Sequence, residues 1–136
     1  MTALASDRNT LAKDGRFRSL PVAANKVIWA GSLVVVNATG FAEPASTATG
    51  KVAVGRAELW IDNTGGADGA QQVRVSRGTF AFANSTGGDA IARTEIGKTV
   101  YAVDDQTVAK TDATGTRSAV GRVFDVDADG VWVEIL

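Results

Sequence analysis

Apolar and polar residues alternate over much of this chain with the period of two that is typical of β-strands. From residue 16 onward, short segments rich in Val, Thr and aromatic residues follow one another at close spacing. We predict strands within residues 16–23, 27–37, 40–44, 51–61, 71–83, 99–103, 107–111, 119–126 and 131–136. Such a series of short strands predicts a mainly β fold, a small β-barrel or sandwich.

Turn signals separate nearly all of these segments. They combine Asn or Asp with glycines, which tolerate a positive φ, at residues 37–40, 63–66, 84–88, 112–115 and 127–130. One further segment, residues 89–96, has a composition that allows one or two helical turns before Gly97. We therefore expect at most one short helix.

A four-residue motif occurs twice. Residues 53–56 read Ala-Val-Gly-Arg, and residues 119–122 read the same, with an offset of about 65 residues. Each copy comes after a strand that begins with a glycine, Gly31 or Gly97. We predict that each copy belongs to one β unit of a pseudo-symmetric barrel. Two copies are too few for a solenoid.

The first 15 residues differ from the rest of the chain. They lack both periodicities, and Leu4 and Leu11 are their apolar anchors. We predict an extended N-terminal arm over residues 1–15 and a single β domain with one core over residues 16–136. Four basic and two acidic side chains give the first 20 residues a net charge of +2. This composition suits contact with a neighbouring subunit, and the alternative is a frayed terminus.

Composition excludes most familiar enzyme chemistry. The 136 residues contain no histidine and no cysteine, which removes disulfides, thiol chemistry and the commonest general base. Catalysis would have to use Asp, Glu, Ser, Thr, Lys or Tyr in a recognisable constellation, and the sequence presents none. We therefore expect a protein that is not an enzyme and needs no cofactor.

Charge and hydropathy narrow the range of partners. The net charge of −1 does not favour nucleic acid or a membrane surface. No apolar run approaches the roughly 20 residues that a membrane-spanning helix needs, and the N-terminus lacks the apolar segment of a signal peptide. We expect no membrane partner, no direct nucleic-acid partner, and synthesis in a cytoplasm-like compartment.

Two acidic motifs resemble chemical sites. Residues 125–130 copy the first part of a calcium-binding loop, but the bidentate acid that should close the loop falls at Leu136. A hairpin turn is the favoured interpretation. Asp104 and Asp105 could share one site only within a turn, because neighbouring strand residues point to opposite faces. We predict a structural turn there and no metal site.

Five aromatic side chains are candidates for recognition. Trp29, Trp60 and Trp132 each lie in an apolar, strand-like segment, so core packing is the first expectation. Phe80 and Phe82 lie two residues apart and share one face of their strand. We take Trp60, Phe80 and Phe82 as candidate residues of a subunit interface. The alternative is a small-ligand or carbohydrate-binding β module in which exposed tryptophans stack on sugar rings.

Several stretches together resemble a known family. They are residues 5–10, 13–15, 21–24, 30–34, 62–69 and 103–108. Over most of the chain this pattern is similar to the capsid decoration, or minor head, proteins of Mu-like tailed bacteriophages. The resemblance implies a compact β-barrel or sandwich, often a homotrimer, on the outer surface of the phage head.

The same resemblance implies a structural role without catalytic residues. It implies a virion protein, made in the bacterial host cytoplasm, that stabilises the lattice of the major capsid protein and binds further copies of itself. Many modest contacts made by one rigid trimer would provide this stabilisation. We assign the capsid contacts to the arm and the residues that follow it, namely Leu4, Asp7, Arg8, Asn9, Leu11, Lys13, Arg16 and Arg18.

Overall fold

A computed structural model describes residues 2–135. Met1 and Leu136, the first residue of the predicted arm and the last residue of the final predicted strand, lie outside the described residues. The described part of the chain is mainly β, with twelve strands and two short helical turns. The predicted fold class is confirmed.

The first half of the chain contains seven strands. They are β1 (Phe17–Pro21), β2 (Val27–Ile28), β3 (Leu33–Val36), β4 (Ala42–Pro44), β5 (Val52–Ala57), β6 (Ile61–Asp62) and β7 (Gln72–Ser76). Five of them form a sheet in the order β1-β7-β5-β3-β4, and β2 pairs with β6 as a separate ribbon. A parallel bridge between Val22 and Ala42 links the two ends of the sheet. We call these seven strands the first unit.

The second half contains five strands. They are β8 (Gly78–Asn84), β9 (Thr99–Ala102), β10 (Thr107–Ala109), β11 (Ala119–Asp127) and β12 (Gly130–Ile135). They close into a barrel in the order β10-β8-β12-β11-β9. The β10–β8 pair is parallel and the other pairs are antiparallel. We call this barrel the second unit.

The two units have the same strand order. In the first unit β1, β3, β4, β5 and β7 correspond in turn to β8, β9, β10, β11 and β12 of the second. In each unit the first strand of the set meets the third in parallel, through a single bridge in the first unit and a strand pair in the second. The repeated motif lies in the corresponding strands β5 and β11. The predicted repeat is confirmed, but the two copies do not share one barrel, because each lies in its own five-stranded unit.

The repeated motif forms a β-bulge in both units. The register between β3 and β5 shifts around Val54, and the register between β9 and β11 shifts around Val120. Each valine is therefore the extra residue of its bulge, and each is 4% exposed. The bulge turns an additional valine toward the interior at equivalent positions of the two units.

The glycine that follows each bulged valine allows the neighbouring strand to approach closely. A Cβ atom at Gly55 would lie 2.2 Å from the carbonyl oxygen of Ser76, and one at Gly121 would lie 2.4 Å from the carbonyl oxygen of Glu134. Ser76 and Glu134 face the arginine of each motif in the next strand. Glycine is therefore required at both places for the same steric reason.

Buried side chains form two clusters, so the predicted single core is wrong. The cluster of the second unit includes Val100, Val108, Val123, Val131, Val133 and Ile135. The cluster of the first unit includes Val22, Ile28, Val54, Val73 and Val75. Strand β3 serves both clusters, because alternation sends Leu33 and Val35 to the second and Val34 to the first. A shared apolar layer thus joins the units.

The helix allowed within residues 89–96 is reduced to a single 3₁₀ turn at Arg93–Glu95 and the end of another at Asp89. Helical backbone in the described residues is limited to two 3₁₀ turns, Gly87–Asp89 and Arg93–Glu95. Between them, the side-chain amide of Asn84 donates to the carbonyl oxygen of Ile91 and accepts from its N–H, both at 2.8 Å. These bonds use the backbone groups that an α-helix would need at Ile91.

Candidate protein-binding surfaces

The arm is exposed along its whole described length. Residues 2–14 contain neither helix nor strand, and every one of them is exposed. The predicted contact residues in this segment are Leu4, Asp7, Arg8, Asn9, Leu11 and Lys13. Leu4 and Leu11 are 73% and 87% exposed. The described chain therefore leaves two large aliphatic side chains of the arm in water, which is unfavourable unless a partner covers them.

Arg16 and Arg18 lie at the base of the arm. The Arg77 N–H donates to the Arg16 carbonyl oxygen at 2.8 Å, which fixes the chain where β1 begins. The guanidinium groups of Arg16 and Arg74 lie 4.9 and 4.4 Å from the ring centre of Phe17, within the range of cation–π contacts. Arg18 is exposed in β1. The arm therefore leaves the first unit from a fixed point.

Trp29 and Trp60 form an exposed aromatic pair. Their side chains are 61% and 53% exposed, so the expectation that they pack in the core is wrong. The ring centres lie 6.0 Å apart and the ring planes are inclined by 30°. The neighbouring Leu59 is 61% exposed. We call Trp29, Leu59 and Trp60 the tryptophan patch.

Strand pairing in the β2–β6 ribbon brings the two tryptophans together. Ile28 pairs with Ile61 in antiparallel register, so Trp29 and Trp60 are the next residues across from each other. The Ser32 hydroxyl then donates to the Trp29 carbonyl oxygen at 2.6 Å in the turn that leads to β3. Both tryptophans thus lie just beyond their strands, at the end of the ribbon, where the core does not cover them.

A cleft of about 310 Å³ lies beside Trp29. It is lined by residues 29–32 of the first unit and by Asp105 and Gln106 of the second. The Leu33 N–H donates to the Asp105 carbonyl oxygen at 2.8 Å, which holds the two units together at this point. Asp104 and Asp105 lie in a turn between β9 and β10, as predicted. This turn places an acidic residue next to the tryptophan patch.

Two further carboxylates lie next to the patch along the chain. Glu58 precedes Leu59, and hydrogen bonds from the Ser76 hydroxyl and from Arg56, the latter at 3.1 Å, lower its pKa. Asp62 follows the patch by two residues, and hydrogen bonds from the Thr64 hydroxyl and backbone N–H lower its pKa. Both groups are therefore anionic at neutral pH.

The structure does not bring the three candidate interface residues together. Phe82 is 5% exposed and belongs to the core of the second unit. Phe80 is half-buried, with the Arg56 guanidinium 4.3 Å from its ring centre. Trp60 lies outside both core clusters. Of the three, Trp60 presents the most surface to a partner.

The acidic motif at residues 125–130 forms the predicted hairpin turn. The Asp129 N–H donates to Asp127 Oδ1, and the Trp132 ring N–H donates to Asp127 Oδ2, both at 2.9 Å.

Over residues 2–135 there is no cluster of three or more acidic, histidine or cysteine side chains suited to a metal ion. In the same range, no helix has the length and apolar character to cross a membrane.

The sequence predicted this region only in part. It gave no role to Leu59, it assigned Asp105 only to a structural turn, and it placed Trp29 in the core. The adjacent Leu59 and Trp60 carry one signal, because a core that covers one face of a strand cannot bury both. In the structure both residues precede β6 and both are exposed. Comparison with models of protein families, with curated proteins and with solved structures finds no match to this chain.

Proposed function

We propose that this chain is a structural virion protein that binds the outer surface of a phage head and stabilises the major capsid protein lattice as a homotrimer. The observation that carries this proposal is the arm, whose leucines the chain itself leaves uncovered. The sequence resemblance supplies the class of partner. In this proposal the protein is not an enzyme, needs no cofactor and contacts neither membrane nor nucleic acid.

The physical basis of the proposed attachment is a rigid body with a projecting segment. The apolar layer around Leu33 and Val35 joins the two units. A force applied to the arm is therefore transmitted to both units together. An extended segment can add backbone hydrogen bonds to the edge of a partner sheet and seat its apolar side chains. Three arms on one trimer would raise the effective concentration of each contact.

Deletion of residues 2–14 tests the role of the arm. Because these residues are exposed and precede the first strand, we expect the circular dichroism spectrum and melting temperature of the truncated protein to match those of the full chain. We expect the truncated protein to lose binding to purified phage heads in a sedimentation assay. Full occupancy of the heads by the truncated protein would contradict the proposal.

A substitution separates the leucines from the charge of the arm. We expect Leu4→Ala combined with Leu11→Ala to weaken head binding although the net charge is unchanged, because buried leucine contributes most of the apolar contact. Phe124→Ala, at an exposed apolar side chain outside both the arm and the tryptophan patch, is the matched control. Equal loss in the control would show that head binding does not depend on the arm leucines.

The tryptophan patch favours a second candidate function, the binding of a small ligand or carbohydrate. Trp29 offers an exposed ring beside the Asp105 and Gln106 side chains of the cleft, a combination of stacking surface and hydrogen-bonding groups. A glycan array followed by fluorescence quenching tests it. A saturable signal that is lost in Trp29→Ala and kept in Trp132→Ala would support this function, and no signal would exclude the glycans on the array.

A further inference from the structure

One chain carries two apolar features that it does not cover itself. The arm exposes Leu11 at 87%, and the tryptophan patch exposes two indole rings and Leu59. Within residues 2–135, the arm makes no side-chain hydrogen bond or ion pair to the first or second unit beyond the one from Arg16 N–H to Asp14 at its base. Both features are therefore available to another molecule.

The arm and the patch are complementary in charge. In an extended segment Leu11 and Lys13 point to the same side, because side chains alternate. A cation therefore lies next to the apolar contact on that side. At the patch, Asp105 lines the cleft beside Trp29. Glu58 and Asp62 lie next to Leu59 and Trp60 along the chain, but the Glu58 carboxylate already pairs with Arg56. A leucine seated on the rings would place Lys13 near Asp105.

The size of the patch suits a segment better than a globular face. Three side chains at this exposure present on the order of 300–400 Å², if a large aromatic side chain has up to about 250 Å². A stable contact between globular proteins buries about 800 Å² on each partner. An extended segment with one apolar anchor fits the smaller area. Leu4 and Leu11 lie up to about 23 Å apart in an extended chain, so one leucine occupies a patch at a time.

We propose that the arm of one copy docks on the tryptophan patch of a second copy, with Leu11 against the rings of Trp29 and Trp60 and Lys13 toward Asp105. The inference rests on the proposed function, in which copies of the chain lie side by side on the head. The arm and the patch are different parts of the chain, so the contact is head to tail. Such a contact closes into a ring when the rotation between copies allows it, and a trimer is one case.

Photo-crosslinking with isotope mixing tests the contact directly. The full chain carries p-benzoylphenylalanine at position 11, and equal amounts of ¹⁵N-labelled and unlabelled protein are mixed before irradiation. We expect crosslinks from position 11 to peptides that contain Trp29 or Trp60, with both isotopes present in one crosslinked pair. The same probe at position 4 is the matched control, and it should yield few crosslinks to those peptides.

Two outcomes of the crosslinking would overturn the inference. Crosslinks from position 11 that always join peptides of one isotope would mean that the arm folds back on its own chain. Crosslinks spread over the surface, or stronger from position 4 than from position 11, would mean that the patch is not the docking site of Leu11.

Self-association of substituted chains gives an independent measurement. By sedimentation velocity over a concentration series, we expect Leu11→Asp and Trp60→Ala to raise the dissociation constant by about tenfold or more, since each removes a buried apolar contact. Phe124→Ala removes an aromatic side chain that is also 61% exposed but lies in the second unit outside the patch, and it should leave the constant within about twofold. Higher salt should weaken association of the unmodified chain, because it screens Lys13 from Asp105.

The same variants distinguish failure of this inference from failure of the proposed function. If Trp60→Ala self-associates like the unmodified chain and still binds phage heads, the inference is wrong and the proposed function stands. If the unmodified chain does not bind heads at all, the proposed function is wrong whatever the crosslinks are. A glycan that binds the patch of a monomeric chain would overturn the inference in favour of ligand binding.

Discussion

The two units of this protein share a strand order and differ in how their strands are connected. Between the fourth and fifth strands of the set, the second unit has a tight hairpin of residues 128–129, whereas the first unit has residues 58–71. The longer connection holds Leu59, Trp60 and strand β6. The repeated strands thus form the scaffold, and the candidate binding surface lies in an insertion that one unit alone has among the described residues.

The connection between the first and second strands of the set differs in a second way. Both units have a long segment there, residues 22–32 in the first and 85–98 in the second. The first unit buries Ile28 and exposes Trp29 in this segment, whereas the second unit buries Ile91 and exposes Ile96. Both segments therefore contribute to a core, and they differ in the indole ring that the first unit presents to water.

The largest effect is expected where the two units share side chains. Leu33 is fully buried and belongs to the core of the second unit although its strand lies in the first. We expect Leu33→Ala to lower the free energy of unfolding by about 2–5 kcal/mol, through lost burial and the cavity left behind. Urea denaturation followed by circular dichroism measures it, and Leu59→Ala, at an exposed leucine, should change it by less than about 0.5 kcal/mol. Two separate unfolding transitions, one for each unit, would contradict the shared apolar layer.

The next effect tests whether the two bulges are equivalent. Gly55→Ala and Gly121→Ala each drive a Cβ into a backbone carbonyl of the next strand, so we expect each to cost about 3 kcal/mol of unfolding free energy. Gly88→Ala is the matched control, since nothing lies within 4 Å of a Cβ there. A tolerated alanine at either bulge, measured by thermal unfolding, would contradict the equivalence.

A smaller loss of unfolding free energy is expected when the asparagine that holds a long connecting segment is removed from either unit. The buried Asn63 side chain donates to the carbonyl oxygens of Ala23 and Ala67 at 3.0 and 3.1 Å, and Asn84 holds Ile91 in the second unit. We expect Asn63→Ala and Asn84→Ala each to cost roughly 1–2 kcal/mol, because buried backbone groups lose their partners.

Tryptophan fluorescence then distinguishes the two asparagine variants. Asn63→Ala loosens the segment that carries Trp60 and should change the emission of the tryptophan pair. Asn84→Ala lies in the other unit and should leave that emission unchanged. An unchanged spectrum in both variants would mean that Asn63 does not position the patch.

The smallest effect is on the loss of stability in acid, and each unit has a carboxylate with a lowered pKa that tests it. Hydrogen bonds from Ser76 and Arg56 lower the pKa of Glu58 from 4.5, and hydrogen bonds from Thr111 and Arg117 lower the pKa of Asp89 from 3.8. A lowered folded-state pKa gives stability that is present above the unfolded value and is lost as the pH falls through the folded value. We expect Glu58→Gln and Asp89→Asn to make the decline of melting temperature below about pH 4.5 and 3.8 shallower. Asp129→Asn, at an exposed turn, controls for the change in net charge.

Local signals in the chain predicted most of the scaffold. The strand-like segments, the Asn/Asp-Gly turns and the hairpin at residues 127–130 depend on neighbouring residues alone, and the structure has strands in every predicted segment. Three segments, residues 27–37, 51–61 and 71–83, each hold parts of two strands where one was predicted. The repeated Ala-Val-Gly-Arg motif predicted two related units because the bulge needs the same glycine in each. The binding roles of the arm residues remain predictions, since they depend on a partner.

Two expectations failed where tertiary packing decides the outcome. The structure has two core clusters where one was predicted, because both faces of β3 are buried and each face contributes to a different cluster. Trp29 and Trp60 lie outside the core because Trp29 follows β2 and Trp60 precedes β6, so both are at the same end of the paired ribbon and just outside it. The helical segment at residues 89–96 is reduced to short 3₁₀ turns by two local hydrogen bonds from Asn84.

The sequence by itself determined the class of fold, the repeat and the exclusion of histidine and cysteine chemistry, because these depend on composition and on spacing along the chain. Only the tertiary structure decided which apolar residues face water. That choice depends on how many strand faces the core can cover. The core covers Ile28 of the β2–β6 ribbon, and the pairing of these strands leaves two tryptophans at the end of the ribbon, exposed to water. The surface proposed here for the arm of a second copy is a consequence of that pairing.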